Sequence, residues 1–294
     1  MRSREGLWVA VTIGAHVSSS GGIYTAVERA VAIEAEAVQI FPSAPQMWRP
    51  TRHRPEAVAR FRELREQHGI GQVWLHNIYL ANLAAEDPAQ LDKSVDSVAN
   101  ALRVAEAIGA DGVVLHTGSH RGRGFDAVVE QVVDALRRTL DAAPGEAMLA
   151  LENTAGQGGT IGARFDEIGV LLRAVGSSRL ALCFDTCHAF AAGYDVARPE
   201  GLDATVEEVA REVGLDRLAV VHANDAMMEL GSGRDRHENI GDGHIGLEGF
   251  RGLLAHPAFA DRTFILEVPG IPPEGGGKAD GPDLENVRRL RALL

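Results

Sequence analysis

Residues 179–195, RLALCFDTCHAFAAGYD, contain a short apolar run that ends in two metal-type side chains. The run LALCF at residues 180–184 is typical of a strand that is buried on both faces of a parallel sheet. Asp185 follows at the carboxyl end of this strand, where parallel barrels place their chemistry. The residues alone leave two interpretations open. Asp185 and His188 are site residues, or Asp185 caps a helix or turn and His188 is an ordinary loop histidine.

Seven further apolar runs of this kind occur along the chain, at residues 11–15, 38–41, 72–75, 112–115, 148–151, 218–221 and 263–266. Helical patterns are predicted up to residue 33 and at residues 55–68, 88–108, 125–140, 165–175, 206–213, 247–254 and 283–294. Strict alternation of strand and helix requires a parallel sheet with right-handed crossovers. Eight such units predict an α/β fold, a (β/α)8 TIM barrel that forms a single domain over residues 1–294.

The composition is that of an ordinary globular protein, with 45% hydrophobic and 24% charged residues. No stretch approaches the length of a membrane span and residues 1–8 lack a sustained apolar run, so we predict no signal peptide, no membrane partner and a cytoplasmic location. Cys183 and Cys187, the only cysteines, are predicted to be reduced thiols near the site. The Pro/Gly-rich residues 269–282 are predicted to form a mobile loop.

The net charge of −12 argues against a nucleic-acid partner, because phosphates favour basic surfaces. Bound cations weaken that argument. Each divalent ion adds two positive charges at the place where a ligand docks.

Metal-type side chains end seven of the eight predicted strands: His16, His76, His116, Glu152, Asp185, His222 and Glu267. In a barrel these positions converge on the C-terminal rim of the strands, and imidazole and carboxylate groups suit zinc or manganese. Asp235 and His237 add an Asp-x-His pair whose spacing places both side chains on one face of an extended segment. With His16 set aside, and with His188 and this pair added, nine candidate metal ligands remain, enough for two or three ions.

Five long motifs make the chain resemble the endonuclease IV family, the metal-dependent apurinic/apyrimidinic endonucleases of DNA base-excision repair. They are IGAHVS (residues 13–18), ENTAGQG (152–158), FDTCHAFAAGYD (184–195), HANDA (222–226) and DRHENIGDGHIG (235–246). The resemblance extends over essentially the whole chain. It implies a hydrolase that cuts the phosphodiester 5′ to abasic sites in duplex DNA, leaves a 3′-hydroxyl and trims blocked 3′ ends. It also implies three zinc ions per chain, with manganese in some positions.

The resemblance assigns a role to each ligand. Glu152, the catalytic residue, would bridge two ions. The first ion would be held by His76, His116 and Glu152, the second by Glu152, Asp185, His222 and Glu267, and the third by His188, Asp235 and His237.

DNA contacts are expected on the rim. In the loop NIYLANL at residues 77–83, Tyr79 and Leu80 occupy the positions that wedge into the base stack, although Tyr79 has the alternative of a core aromatic. Gln46 stands where many relatives place an arginine that enters the DNA stack. Met227 stands where a lysine often follows the Asn-Asp pair. These two departures leave the DNA affinity and the range of lesions open. The predicted DNA-binding residues are Tyr79, Leu80, Asn82, Gln46 and His16.

Three further histidines, His53, His68 and His256, are predicted to be solvated surface residues. His16, His120 and His244 are predicted to lie on the rim, where each either contacts phosphate or supports a ligand.

Two other functions compete with the endonuclease. A divalent-metal sugar isomerase or epimerase would share the barrel and its rim of ligands, but it needs only one or two ions and not the third ligand set. A lesion-binding protein without catalysis is the second alternative, and an intact ligand set argues against it. We therefore expect duplex DNA with abasic or 3′-blocked sites as the partner of a monomeric enzyme.

Overall fold

All eight predicted strands lie in one closed parallel barrel. The computed structural model describes residues 11–272, 275–277 and 279–294. The barrel strands are β1 (Thr12–His16), β2 (Ala37–Ile40), β3 (Val73–His76), β4 (Gly112–Leu115), β5 (Met148–Glu152), β6 (Leu180–Asp185), β7 (Leu218–His222) and β10 (Thr263–Leu266). Between β7 and β10, the strands β8 (Asp225–Ala226) and β9 (His237–Glu238) form a separate two-stranded antiparallel ribbon. The strand order is β1-β10-β7-β6-β5-β4-β3-β2, with β2 paired to β1. The predicted TIM barrel is confirmed.

The helices follow the strands in sequence. They are α1 (Thr25–Ala32), α2 (Pro55–His68), α3 (Pro88–Ile108), α4 (Val129–Ala142), α5 (Phe165–Val175), α6 (Thr186–Ala192), α7 (Pro199–Glu212), α8 (Gly246–Ala255) and α9 (Leu284–Arg291). Helices α2, α3 and α5 have the predicted bounds.

Helices α4, α6 and α7 differ most from the prediction, and α9 ends at Arg291 rather than at residue 294. Helix α4 begins at Val129 rather than at residue 125, because the residues before it form a turn in which the Val128 N–H donates to the Phe125 carbonyl. Helix α7 begins at Pro199 rather than at residue 206, since proline fits the first turn of a helix. Helix α6 was not predicted at all. Asp185 caps it by accepting a 2.7 Å hydrogen bond from the N–H of His188.

The barrel interior is filled by a small apolar cluster that is separate from the main core under the helices. Its members are Ala37, Trp74, Val114, Ala150, Ala181, Cys183, Val220 and Ile265. Gly112 makes room for the largest of them, because a Cβ at this position would lie 2.6 Å from the Trp74 ring. The bottom of the barrel is therefore packed, and the top is left for polar groups.

Residues two positions apart on a strand face the same side, so each interior residue predicts what lies above it. On seven strands the residue two positions after a member of the interior cluster is polar. These residues are Gln39, His76, His116, Glu152, Asp185, His222 and Glu267. They form one polar layer at the carboxyl ends of the strands, above the apolar cluster.

Two features outside the barrel bear on the predictions. Within the described residues, no helix is both long and apolar enough to cross a membrane. The predicted mobile loop at residues 269–282 is closed at its base, where the Gly281 N–H donates to the Pro269 carbonyl over 3.1 Å. Residues 273, 274 and 278 of this loop, and the predicted absence of a signal peptide in residues 1–8, lie outside the described residues.

Candidate metal centre

The structure brings the predicted ligands together in three groups whose donor atoms lie within 4.8 Å of one another. The first group is His76, His116 and Glu152; the second is Glu152, Asp185, His222 and Glu267; the third is Asp185, His188 and His237. Glu152 belongs to the first two groups, and Asp185 belongs to the second and third. The sharing of Asp185 was not predicted from the sequence.

Glu152 is fully buried between its imidazole neighbours. Its Oε2 lies 2.9 Å from Nε2 of His116, and its Oε1 lies 3.1 Å from Nδ1 of His222. Burial opposes ionisation, but the imidazoles of His116 and His222 hold the pKa of Glu152 well below its usual value. Its two carboxylate oxygens therefore face two different donor groups, which is the geometry of a bridging ligand.

Asp235, predicted to be a member of the third group, lies beside it, and its role as a ligand stays a prediction. Its Oδ2 is 3.3 Å from Nε2 of His188, and its Oδ1 is 3.3 Å from Nε2 of His237. Burial raises the pKa of Asp235, but His188 outweighs this effect and lowers the pKa to about 2. An ionised carboxylate thus lies between two imidazoles at the outer edge of the site, where the Asp235 side chain is 46% exposed.

Three imidazoles are oriented by backbone carbonyl groups. His76, His188 and His237 place Nδ1 at 2.8, 3.0 and 3.2 Å from the carbonyl oxygens of Asn77, Asn153 and Glu267, respectively. A carbonyl oxygen can only accept a hydrogen bond, so Nδ1 carries a proton in each ring and Nε2 is the nitrogen left to bind a metal ion.

The position of these Nε2 atoms fits a metal ion. The Nε2 atoms of His188 and His237 are buried and have no hydrogen-bond partner among the described residues. Buried, unpartnered nitrogen atoms that converge with carboxylates suit a divalent cation, which would supply their missing partner.

The predicted DNA-binding residues lie at several depths around this centre. Tyr79 is 60% exposed, so the core alternative is wrong; its ring lies 5.4 Å from those of Phe41 and His76. Leu80 is half-buried and Gln46 is exposed. Asn82 is buried, and its Oδ1 accepts a 3.1 Å hydrogen bond from the Ser119 N–H. As DNA contacts these residues stay predictions.

His16, also predicted to bind DNA, supports a ligand. Its Nδ1 lies 2.9 Å from Oε1 of Glu267, while its Nε2 is buried and has no partner within the described part of the chain. Burial lowers the pKa of His16 below its usual value. A phosphate contact through Nε2 stays a prediction.

The remaining histidines divide into exposed and structural residues. His68 is exposed as predicted, and His244 is exposed on the rim. His53 and His256 are partly exposed, and each also makes a local hydrogen bond: Nε2 of His53 donates to the Pro42 carbonyl, and Nδ1 of His256 accepts from the Ala258 N–H. His120 also has a local role, because its Nδ1 accepts from the backbone N–H of Gly122 and of Gly124.

Both cysteines are buried free thiols, as predicted. Cys183 lies under the centre, with its sulfur within 4.8 Å of donor atoms of Glu152 and His222. Burial raises the pKa of Cys183 to about 12, so the thiol is neutral. The Cys187 Sγ lies 3.5 Å from the Arg236 carbonyl oxygen, next to the third group.

Sequence reasoning missed two polar residues that hold the ligands. Gln39 on β2 is fully buried against His222 and Glu267. Asn224 donates from Nδ2 to Oδ2 of Asp185 over 2.7 Å, and its Oδ1 accepts from the Glu267 N–H. The sequence contains a signal for Gln39, because it is the one polar residue in an apolar strand. Like the ligands, it also lies two positions after a residue of the interior cluster.

A third missed residue, Asp225, organises the loop after β9. Its buried carboxylate accepts hydrogen bonds of 2.8 to 3.3 Å from backbone N–H groups, those of Ala226, Gly241, Gly243, Ile245 and Gly246.

Asp225→Asn should lower the free energy of unfolding by about 2 kcal/mol or more, because the new amide N–H would face donors that are left unpaired. Urea denaturation followed by circular dichroism measures this change. Asp242→Asn, the same change at a half-exposed carboxylate of the same loop, serves as the control. Equal midpoints for the two variants would show that Asp225 does not hold the loop.

These features define a metal-binding enzyme built on a TIM barrel. Residues 27–292 match the family model described as a xylose isomerase-like TIM barrel. A probable endonuclease 4 of Methanoculleus marisnigri is 42% identical over 261 residues, which cover 88% of this chain and 93% of the relative. The solved endonuclease IV of Thermus thermophilus is 40% identical, with a TM-score of 0.84, over 96% of this chain and 98% of that one. The chain belongs to the endonuclease IV family and is a metal-dependent hydrolase.

The likeness to sugar epimerases extends to the fold alone. A solved D-tagatose 3-epimerase-like protein is 17% identical, with a TM-score of 0.68, over 96% of this chain and 95% of that one. The isomerase alternative therefore has only distant similarity in its favour.

Proposed function

We propose that this chain cuts duplex DNA on the 5′ side of abasic sites and leaves a 3′-hydroxyl. The observation that carries the proposal is the chain of three donor groups joined by Glu152 and Asp185. A centre of this size can offset both the negative charge of a phosphodiester and the charge that develops on its leaving oxygen. The relatives named endonuclease 4 and endonuclease IV support DNA as the substrate.

Three zinc ions would occupy the centre, one for each donor group, with Asp235 completing the third. The donor set contains nitrogen and oxygen ligands only, which suits zinc and also permits manganese. When bound, the ions would offset the phosphate charge and make water available as a nucleophile at neutral pH.

The residues of the chain provide the geometry for this chemistry. Glu152 would contact two ions, one through each carboxylate oxygen, and the carbonyl-bound imidazoles of His76, His188 and His237 would need no reorientation before they coordinate. Preorganised ligands of this kind cost little reorganisation energy during reaction.

The rim residues would hold the damaged duplex open. Tyr79 presents an exposed ring directly above His76, where it can stack into the gap left by a missing base. Lesion sites are the least costly to open, because pairing is already lost there. Gln46 and Met227 supply no positive charge, so we assign less of the DNA affinity to the rim and more to the ions.

A nicking assay on a duplex with one central abasic site tests this function. We expect one cut on the 5′ side, a 3′-hydroxyl end, and loss of activity in excess chelator. The undamaged duplex is the control. If the purified zinc-loaded protein leaves the abasic duplex intact but epimerises a ketose, the sugar isomerase alternative is correct. Binding without cleavage would indicate a lesion-binding protein.

Removal of zinc should lower the melting temperature by about 10 °C. A ligand present at a thousand times its dissociation constant contributes about 4 kcal/mol of stability, and each kcal/mol shifts the midpoint by about 2 to 4 °C in a protein of this size. Thermal unfolding before and after dialysis against a chelator measures the shift. Added zinc should restore the midpoint and added magnesium should not, while an unchanged midpoint would contradict a buried metal centre.

Three finer points belong to this proposal. The enzyme is a monomer, acts in the cytoplasm and also trims 3′-blocked ends. Size-exclusion chromatography with light scattering tests the first point, and the nicking assay with a 3′-blocked nick tests the last.

A further inference from the structure

Gln39 is a fully buried side chain on β2 whose polar atoms all face the metal centre. Its Oε1 lies 2.9 Å from Nε2 of His222, and its Nε2 lies 2.6 Å from Oε1 of Glu267. A second neighbour of the amide nitrogen is Nδ1 of His16, at 3.1 Å. One amide therefore joins two members of the second group that come from different strands.

The contact with Glu267 fixes the orientation of this amide. A ligating carboxylate can only accept hydrogen bonds, so the NH2 of Gln39 must face Glu267 and the amide oxygen must face His222. An amide oxygen also only accepts, so the proton of His222 lies on Nε2. Nδ1 is then the nitrogen of His222 left to bind a metal ion, and it lies 3.1 Å from Oε1 of Glu152 and 3.3 Å from Oε2 of Glu267.

His222 differs in this respect from the other oriented imidazoles. His76, His188 and His237 each turn Nδ1 toward a backbone carbonyl and present Nε2 to the ligand groups. His222 presents Nδ1, and its remaining nitrogen meets a side chain instead of the backbone. The nitrogen of His222 that faces away from Glu152 is thus held by a residue that can be substituted without changing the main chain.

We propose that Gln39 is the positioning residue of the second group: it selects the tautomer of His222 and holds the carboxylate of Glu267 in place. This inference rests on the proposed zinc site and adds to it a residue that would not itself touch the metal. Partners that orient metal ligands typically change metal affinity by about 10- to 100-fold when they are substituted.

Gln39→Met tests the inference, because it removes both polar atoms and keeps the size of the side chain. We expect the zinc-loaded variant to give up one of three ions to a competing chelator at about 10- to 100-fold lower chelator concentration than the wild type. We also expect loss of the slowly exchanging Nε2–H signal of His222 in nitrogen NMR of histidine-labelled protein. Gln67→Met, the same change at an exposed position of α2, should match the wild type.

Gln39→Glu separates the effect on the His222 tautomer from the effect on Glu267. It also provides the test if Gln39→Met does not fold. Its carboxylate can still accept from Nε2 of His222, so the NMR signal should stay. It repels Glu267, so one zinc ion should still be released more readily. Wild-type zinc retention in either folded variant, or loss of the His222 signal in Gln39→Glu, would overturn the inference. A wild-type protein that binds no zinc would overturn the proposed centre itself, and the inference with it.

Discussion

Glu152→Gln should reduce the rate of nicking at an abasic site by at least about a thousandfold and leave binding of abasic DNA largely intact. Each oxygen of Glu152 faces a different donor group, so both must be charged to hold two cations close together. The amide of glutamine has almost the same size, but its nitrogen donates hydrogen bonds and cannot coordinate a metal. The ions of the first and second groups should then move apart, or one of them should be lost. This change removes stabilisation of the transition state and not of the bound DNA.

Single-turnover cleavage and a gel-shift titration on the same abasic duplex measure the two effects separately. The third group contains no atom of Glu152, so elemental analysis of the variant should show that its ion remains. Glu146→Gln makes the same chemical change at an exposed position and is the matched control. Near-normal cleavage by Glu152→Gln would mean that Glu152 is not a bridging ligand.

Tyr79→Ala should weaken binding to an abasic duplex by about 1 to 3 kcal/mol, the contribution of one base–aromatic stack. The ring is 60% exposed above the metal centre and packs edge-on against Phe41, which holds it toward the DNA side. A single-stranded substrate has no gap to be held open, so its binding should change much less.

Fluorescence titrations with both substrates measure this difference. Tyr79→Phe keeps the ring and removes only the hydroxyl, so its affinity for the abasic duplex should stay close to that of the wild type. Equal losses on the two substrates for Tyr79→Ala would assign this residue to general DNA contact rather than to a wedge.

The barrel strands could be predicted to within about one residue, because each is buried on both faces and appears as a mostly apolar run. The ligands could be predicted for a related reason. A charged residue at the end of such a run, as at His76 or Glu152, has no role in the apolar core and lies at the rim where all strands end.

Other parts of the site depend on tertiary contacts that leave little trace in the sequence. Helix α6 is too short for a periodic pattern, and its start depends on the cap that Asp185 provides. The sharing of Asp185 between two groups depends on the approach of His188 on α6 to His237 on β9, whose ring centroids lie 5.5 Å apart. Gln39 was passed over because it lies inside a strand and has no charge, although its spacing matches that of the ligands.

The zinc content of the purified protein, measured without prior chelation, tests the central claim most directly. Three donor groups linked by Glu152 and Asp185 predict three zinc ions per chain, and anomalous scattering from a crystal should place one ion within each group. One ion per chain, or none, would contradict the three-metal centre on which the proposed mechanism depends.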